Sequence, residues 1–257
     1  WFDEVSPAGL VKGQSKYYKA KKDGKWAIFD VDGNRITDWF DGISIDGLIE
    51  GQSNMYIASK GNKSAIFDVD GNMITKEWYF YVSPEGLVKG QSKYFIVMED
   101  WKYAIFDKDG DQVTEWYDRI EEDGLVKGES DYYLVIKGDS DYYFASEYYK
   151  YAIFKKIGKQ KSEWFDWISV EGLVKGECDY YIACNEDKCA VYYEDGRKVS
   201  EDFSREEIKE AKRIIINIDY DVIEIFNREG KLIKTIEFKS VYPYGEKLID
   251  YTKLLEI

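Results

Sequence analysis

The amino-acid sequence predicts an all-β protein made of six copies of one supersecondary unit, a β-propeller of four-stranded blades of about 38 residues each. Glycines recur in one phase at Gly33, Gly71, Gly110, Gly158 and Gly196, at spacings of 38, 39, 48 and 38 residues. A second glycine, opening a GLVKG-like run, recurs at Gly9, Gly47, Gly86, Gly124 and Gly172. Ala-Ile-Phe at 27–29, 65–67, 104–106 and 152–154, with Ala-Val-Tyr at 190–192, is apolar without alternation. A strand buried on one face alternates, so a continuous apolar run implies cover on both faces, which radially stacked sheets supply. An open solenoid of meanders with a C-terminal cap has the same periodicity and is the alternative.

Within the first repeat, four runs read as strands: GLVKG at 9–13, KYYKA at 16–20, KWAIFD at 25–30 and NRITDWFD at 34–41. Asp23-Gly24 and Asp32-Gly33 punctuate the last three, and Asp-Gly favours a two-residue turn that needs positive φ at both centres. Two-residue turns would set Tyr18 opposite Phe29, Phe29 opposite Ile36, and Trp26 opposite both Lys21 and Trp39. Trp1, Trp39, Trp78, Trp116 and Trp164 keep the same beat. In the fourth repeat the first turn grows to residues 137–150, 14 in place of 4, an insertion that a hairpin tip tolerates.

The sixth unit is atypical. Its meander returns from Ile214 to Ile233 with Phe226 and Gly230 in phase, but SREEIKEAKRI stands where GLVKG should be. Ser204 and Glu207 have capping-box spacing and predict a short helix near 204–213. Residues 1–240 read as a single repeat domain. Residues 241–257 fit no repeat position and form a tail or cap, either a strand or a final helix.

At 257 residues the chain is long enough to bury a core of its own. Aromatic residues make up 17%, 23 of them Tyr, a mixture suited to short amphipathic strands. The net charge of −14 argues against nucleic acid or an anionic membrane as partner, because both need basic surface. No apolar run has the length of a membrane span, so no membrane insertion is expected; no signal-peptide pattern opens the chain, which leaves secretion open, with a cytoplasmic setting slightly favoured.

The segment GKWAIFDVDGNRIT at 24–37 resembles the bacterial WG-repeat (KWG-type) pattern, in which Gly-Lys-Trp-Gly precedes an aromatic strand and a glycine turn. Counted by repeats, the resemblance extends over residues 1–236. The motif Trp is present as Trp26 and replaced by Ser64, Tyr103, Tyr151 and Cys189 elsewhere, and the motif Gly is alanine throughout. The resemblance implies a β-rich interaction module without shared catalytic residues.

The residues offer little catalytic chemistry. There is no His, which removes protease triads and His-ligated zinc, and no nucleophile elbow, P-loop or dinucleotide fingerprint is present. No cofactor is expected. Asp30-Val-Asp32-Gly33, Asp68-Val-Asp70-Gly71 and Asp107-Lys-Asp109-Gly110 echo the start of a calcium loop, yet the later ligands are missing and turn chemistry explains them, with Asp30 across from Arg35 as a cross-strand pair. No metal is expected either.

Cys184 and Cys189 face each other across a turn by repeat alignment, and a bridge forms there in an oxidising compartment. Three reduced thiols, counting Cys178, is the expectation otherwise. Lys12, Lys89, Lys127 and Lys175 share one phase of the GLVKG run, with Glu50 interrupting; if that run is an innermost strand, they gather at an axial channel and hold an acidic ligand. Tyr142, Tyr143, Tyr148 and Tyr149 of the insertion, with Trp101 and Trp167, lie outside the repeat phase and are candidate contact aromatics. These features point to a non-enzymatic module that binds a protein or peptide. The alternative is a propeller that binds a carbohydrate or small ligand and is related to glycosidases.

Overall fold

The computed structural model describes residues 1–138, 149–156, 158–217, 222–227, 229–237 and 252–256. The chain divides into two compact units, Trp1–Gly128 and Glu129–Ile257. Each is built from successive antiparallel sheets of three or four strands, six among the described residues. In the first unit, the sheets are Glu4–Val5 with Tyr17–Lys22 and Lys25–Asp30, then Gly42–Ile43 with Met55–Lys60 and Lys63–Asp68, then Tyr81–Val82 with Tyr94–Glu99 and Lys102–Asp107. In the second, Tyr132–Lys137, Lys150–Lys155 and Lys159–Gln160 are followed by Trp167–Ile168, Tyr180–Asn185, Lys188–Tyr193 and Phe203–Ser204.

The apolar third run is covered on both faces, as its lack of alternation predicts. Ala27, Ile28, Ala104, Ile105, Ala152 and Ile153 are all fully buried. Within each unit, successive sheets share a core. In the fifth sheet, Tyr181 and Ala183 join a core with Leu134 and Ile153. Their neighbours Tyr180, Ile182 and Val191 join another with Ile214, Ile223 and Ile225 of the sixth. Strand side chains alternate between faces, so two cores need both parities to be apolar.

The two Asp-Gly turns differ. Lys22 pairs with Lys25 and Asp23 and Gly24 have φ of 52° and 79°, the two-residue turn that the dipeptide predicts. At the second turn, Asp30 N donates to Asn34 O and Gly33 has φ of 81°, a loop of three residues with glycine in the left-handed position. The extra residue shifts the register, so Phe29 faces Arg35 rather than Ile36, and an interruption at Thr37–Asp38 then shifts it the other way, so Trp26 faces Phe40 rather than Trp39. The Asp30 carboxylate does not reach across to Arg35. It accepts from Asp32 N, Asn34 N and Asn34 Nδ2 at 3.0, 2.8 and 3.0 Å, closing its own loop.

The fourth strand is also interrupted. Thr37 Oγ1 accepts from Ile28 N at 3.0 Å, where a backbone carbonyl would stand in a regular ladder. Thr114, Ser162 and Ser200 do the same for Ile105, Ile153 and Val191. A buried N–H needs an acceptor, and the hydroxyl supplies it while the backbone turns away.

GLVKG is not a strand. Gly9–Lys12 is a 3-10 turn ending at Gly13 in the left-handed conformation, and its equivalents at 47–51, 86–90, 124–128 and 172–176 are turns as well. Glycines at φ of 76° and 71° are incompatible with extended backbone, which overrides the β propensity of Leu-Val. Two-residue strands such as Gly42–Ile43 fill the first position of the sheet instead. The turn closes on itself: Gln14 N donates to Gly9 O at 2.9 Å while Gly9 N donates to Gln14 Oε1 at 3.0 Å.

The turns also tie each repeat to the next. Ser15, Ser53, Ser92 and Ser130 donate to the carbonyls of Ile49, Val88, Val126 and Val174 at 2.5–2.7 Å. The same Ser92 oxygen accepts from Tyr94 N at 3.0 Å. Ser92→Ala removes both bonds and is expected to lower the unfolding free energy by about 1–2 kcal/mol in urea denaturation, because two backbone groups lose their partner.

The sixth sheet departs from the others. Ser204 N donates to Glu207 Oε2 at 2.8 Å and Glu207 N to Ser204 Oγ at 3.2 Å, the reciprocal capping box that the spacing predicts. The helix is confined to Arg205–Glu210, and from Ala211 the chain is strand. Thr252–Glu256 pairs antiparallel with Ala211–Asn217, so the end of the chain is a strand that supplies the outer place of the last sheet.

Cys184 and Cys189 are directly opposite in the fifth hairpin and joined by a disulfide, both fully buried. The expectation of three reduced thiols is corrected for this pair. Closing so short a loop contributes roughly 2 kcal/mol in the chain-entropy treatment. Cys178 is a buried thiol that takes the ladder place of the serines, its Sγ 3.5 Å from Tyr180 O. Alkylating the denatured, unreduced chain is expected to add one group, at Cys178, and three after reduction, read by intact mass. Three groups without reduction would contradict the bridge.

Candidate functional site

The four phased lysines sit on the helical turns, and this removes the premise that they line a channel from an innermost strand. Lys89 binds Glu85 at 2.6 Å, Lys127 binds Asp123 at 2.9 Å and Lys175 binds Glu171 at 2.7 Å, each a carboxylate four residues earlier. Helical geometry brings i and i+4 together, so each turn neutralises its own cation. The Glu85 hydrogen bond holds the Lys89 ammonium above its ordinary pKa. Lys12 has Ala8 at that place and is exposed. Tyr142, Tyr143 and Tyr148 lie outside the described residues. Tyr149 is half-buried, its ring packed against Gly138, where a Cβ would stand 2.7 Å from Cε1. Trp167 packs on the core shared by the fifth and sixth sheets.

Chemistry concentrates instead at the hairpin tips. One repeat phase carries Asp3, Asp41, Asp118 and Asp166. Asp41 takes the Lys25 ammonium and accepts from Gly61 N at 2.7 Å, in the turn of the following repeat. Asp166 takes Lys150 and accepts from Glu186 N at 2.6 Å. Asp41 and Asp166 therefore each join two successive hairpins, and sequence reading missed them because acidic residues are everywhere in this chain.

Beside Asp166, in the second unit, is an open cleft of about 430 Å³. Trp164 and Tyr192 form its apolar wall, with Lys150, Lys188, Asp166 and Asp202 around them and Asn185 and Glu186 from the disulfide hairpin. The wall is held from behind: Tyr192 stacks on the buried Tyr181 at 5.4 Å, and Phe154 meets Trp164 edge-on at 6.2 Å. Lys137 lies 4.5 Å over the Trp164 ring. The Glu186 amide first and Lys150 second hold the Asp166 carboxyl below the usual carboxylate range. That is the reverse of what a general acid needs at neutral pH.

Because the folded pKa of Asp166 is lower than its unfolded value, its contribution is complete above the unfolded pKa and disappears as pH falls through the folded one. Asp166→Asn is expected to cost roughly 1 kcal/mol at pH 7. The difference from the unsubstituted chain should narrow as pH falls through the folded pKa, below the ordinary carboxylate range, measured by urea denaturation across pH.

The third repeat breaks the tip pattern in the first unit. Phe80 stands at the Asp41 phase, and Glu99 takes over the carboxylate's work, accepting from Lys63 Nζ at 2.5 Å and Phe80 N at 2.8 Å. Asp100 and Trp101 occupy the turn itself at φ of 48° and 61°. The Trp101 ring is 66% exposed and meets Phe80 at 5.8 Å. A left-handed conformation costs a residue with a Cβ roughly 1–2 kcal/mol, and an aromatic pair returns about 0.5–1.5, so the two nearly offset.

No helix among the described residues is long and apolar enough to cross a membrane, and no group of three or more metal-ligating side chains is present among them. No family model and no curated protein matches the chain. Among solved structures it is similar to a eukaryotic initiation factor at 9% identity, over 86% of this chain and 62% of that one, with TM-score 0.38. It thus spans less than two thirds of that factor's length. It is also similar to Kluyveromyces lactis Hsv2 (14% identity, 87% of this chain, 71% of that, TM-score 0.32). The β-propeller domain of Cps50 (Swd1) from Myceliophteria thermophila gives 11%, 87%, 79% and 0.29 in the same order.

Proposed function

We propose that this chain is a non-enzymatic binding module for a protein or peptide and that the cleft of Trp164 and Tyr192 is its contact site. The observation that carries the reading is a preformed aromatic wall ringed by side chains of both signs. Large rigid rings supply contact area at low entropic cost, and fixed charges of both signs select orientation. A mixed-sign rim suits the alternating donors and acceptors of a peptide backbone. Asp166, held ionised, is suited to binding and not to donating a proton. The WG-repeat resemblance, with its implied interaction role, agrees with this.

The test is selection of a displayed random-peptide library on the intact chain, followed by titration of the selected peptides. Lys188 is exposed, so Lys188→Glu should leave stability within about 0.5 kcal/mol. Binding by the selected peptides is expected to weaken about tenfold, equivalent to about 1.4 kcal/mol. Peptides indifferent to Lys188→Glu, or a library that yields none, would refute the cleft as the site.

A further inference from the structure

An exposed aromatic patch lies within Trp1–Gly128 and involves no residue of the cleft. Asp100-Trp101 occupies the place that Asp23-Gly24 fills in the first repeat, where glycine meets the left-handed requirement without cost. The third repeat instead presents an indole at the outermost point of its hairpin. Phe80, 44% exposed, replaces a repeat aspartate and buttresses that ring, and Tyr81 beside it is 40% exposed. Two departures from the repeat thus meet in one aromatic patch.

Three of the seven other tryptophans carry a cation on the ring face and indicate what such a ring can receive. Lys19 lies 4.9 Å over Trp26, Arg35 lies 5.8 Å over Trp39 and Lys137 lies 4.5 Å over Trp164. Among the described residues no lysine or arginine is recorded over Trp101, although it is the more exposed ring. Indole faces attract cations more strongly than other aromatic faces do. Asp100, exposed and adjacent in the same turn, adds a negative charge, whereas Glu99 is already paired with Lys63. The body behind it carries −14.

We propose that Trp101, backed by Phe80 and flanked by Asp100, is the docking point for an arginine or lysine side chain of a basic peptide segment in a partner protein. The cation would stack on the indole face while Asp100 takes its hydrogen bonds. The acidic body would speed encounter.

The experiment titrates the intact chain with three short fluorescein-labelled peptides by anisotropy, alternating Ser with Arg, Leu or Glu. Salt is kept at about 0.15 M so that distant charges are screened. Trp101→Gly restores the turn residue of the first repeat and leaves net charge unchanged, so non-specific attraction to the acidic body is retained. Trp101→Asn, which tolerates the left-handed conformation, is the second variant should the first fail to fold. Both are expected to weaken the Arg peptide at least about fivefold, the scale of a cation–π contact, with an unchanged melting profile. An Arg peptide that binds the variants as it binds the unsubstituted chain overturns the proposal. So does a Leu or Glu peptide that binds as tightly as the Arg one, or the absence of Arg-peptide binding.

Discussion

The glycines that open the first three helical turns, Gly9, Gly47 and Gly86, each have a carbonyl of their own hairpin on one side and a carbonyl of the next repeat on the other. A Cβ built at Gly47 would stand 2.3 Å from Met55 O and 2.9 Å from Val88 O. At Gly86 the same atom would be 2.1 Å from Tyr94 O and 2.7 Å from Val126 O. The glycine that closes the turn faces backwards, with Gly51 against Gln14 O and Gly90 against Gln52 O. Backbone thus approaches backbone at two points per repeat, and the serine hydroxyl bonds across the same gap. Sheet packing follows from this spacing. Within each unit it brings successive sheets close enough for their facing side chains to exclude water.

These constraints explain where the sequence was readable. The doubly buried strand could be inferred because its apolar run lacks alternation, and the Lys22–Lys25 turn and the Ser204–Glu207 cap because each rests on residues within five positions. GLVKG was misread because Leu-Val is β-prone, and the demand for glycine comes from carbonyls some 40 positions away. The second Asp-Gly turn was assigned one residue too few because the dipeptide serves both a two-residue turn and the three-residue loop that Asp30 closes. The threonine at Thr37 has a visible signal, a hydroxyl nine residues after the apolar strand residue it serves, repeated at Thr114, Ser162 and Ser200.

The candidate sites were less legible for a related reason. Phase alone made the lysines of the helical turns look special, yet their i−4 carboxylates account for three of them. The cleft needs Trp164 from one repeat and Tyr192 from the next, residues that the repeat phase assigns to the core. Trp101 could be singled out as out of phase, but the importance of Phe80 emerges only when its ring is seen against the indole. Trp101 and Phe80 lie at hairpin tips, outside the backbone contact that fixes the turns, where residues are free to vary.

Close backbone approach at the turn glycine, beyond its positive φ, holds successive repeats together. Gly33 and Gly47 separate these two effects, since their φ values are 81° and 76° but a Cβ at Gly33 meets nothing within 4 Å. The deciding measurement is the unfolding free energy of Gly33→Ala against Gly47→Ala in urea. Gly33→Ala is expected to lose about 1 kcal/mol from conformation alone. Gly47→Ala should lose several kcal/mol, because two carbonyls must move apart. Equal losses at the two positions would contradict the account.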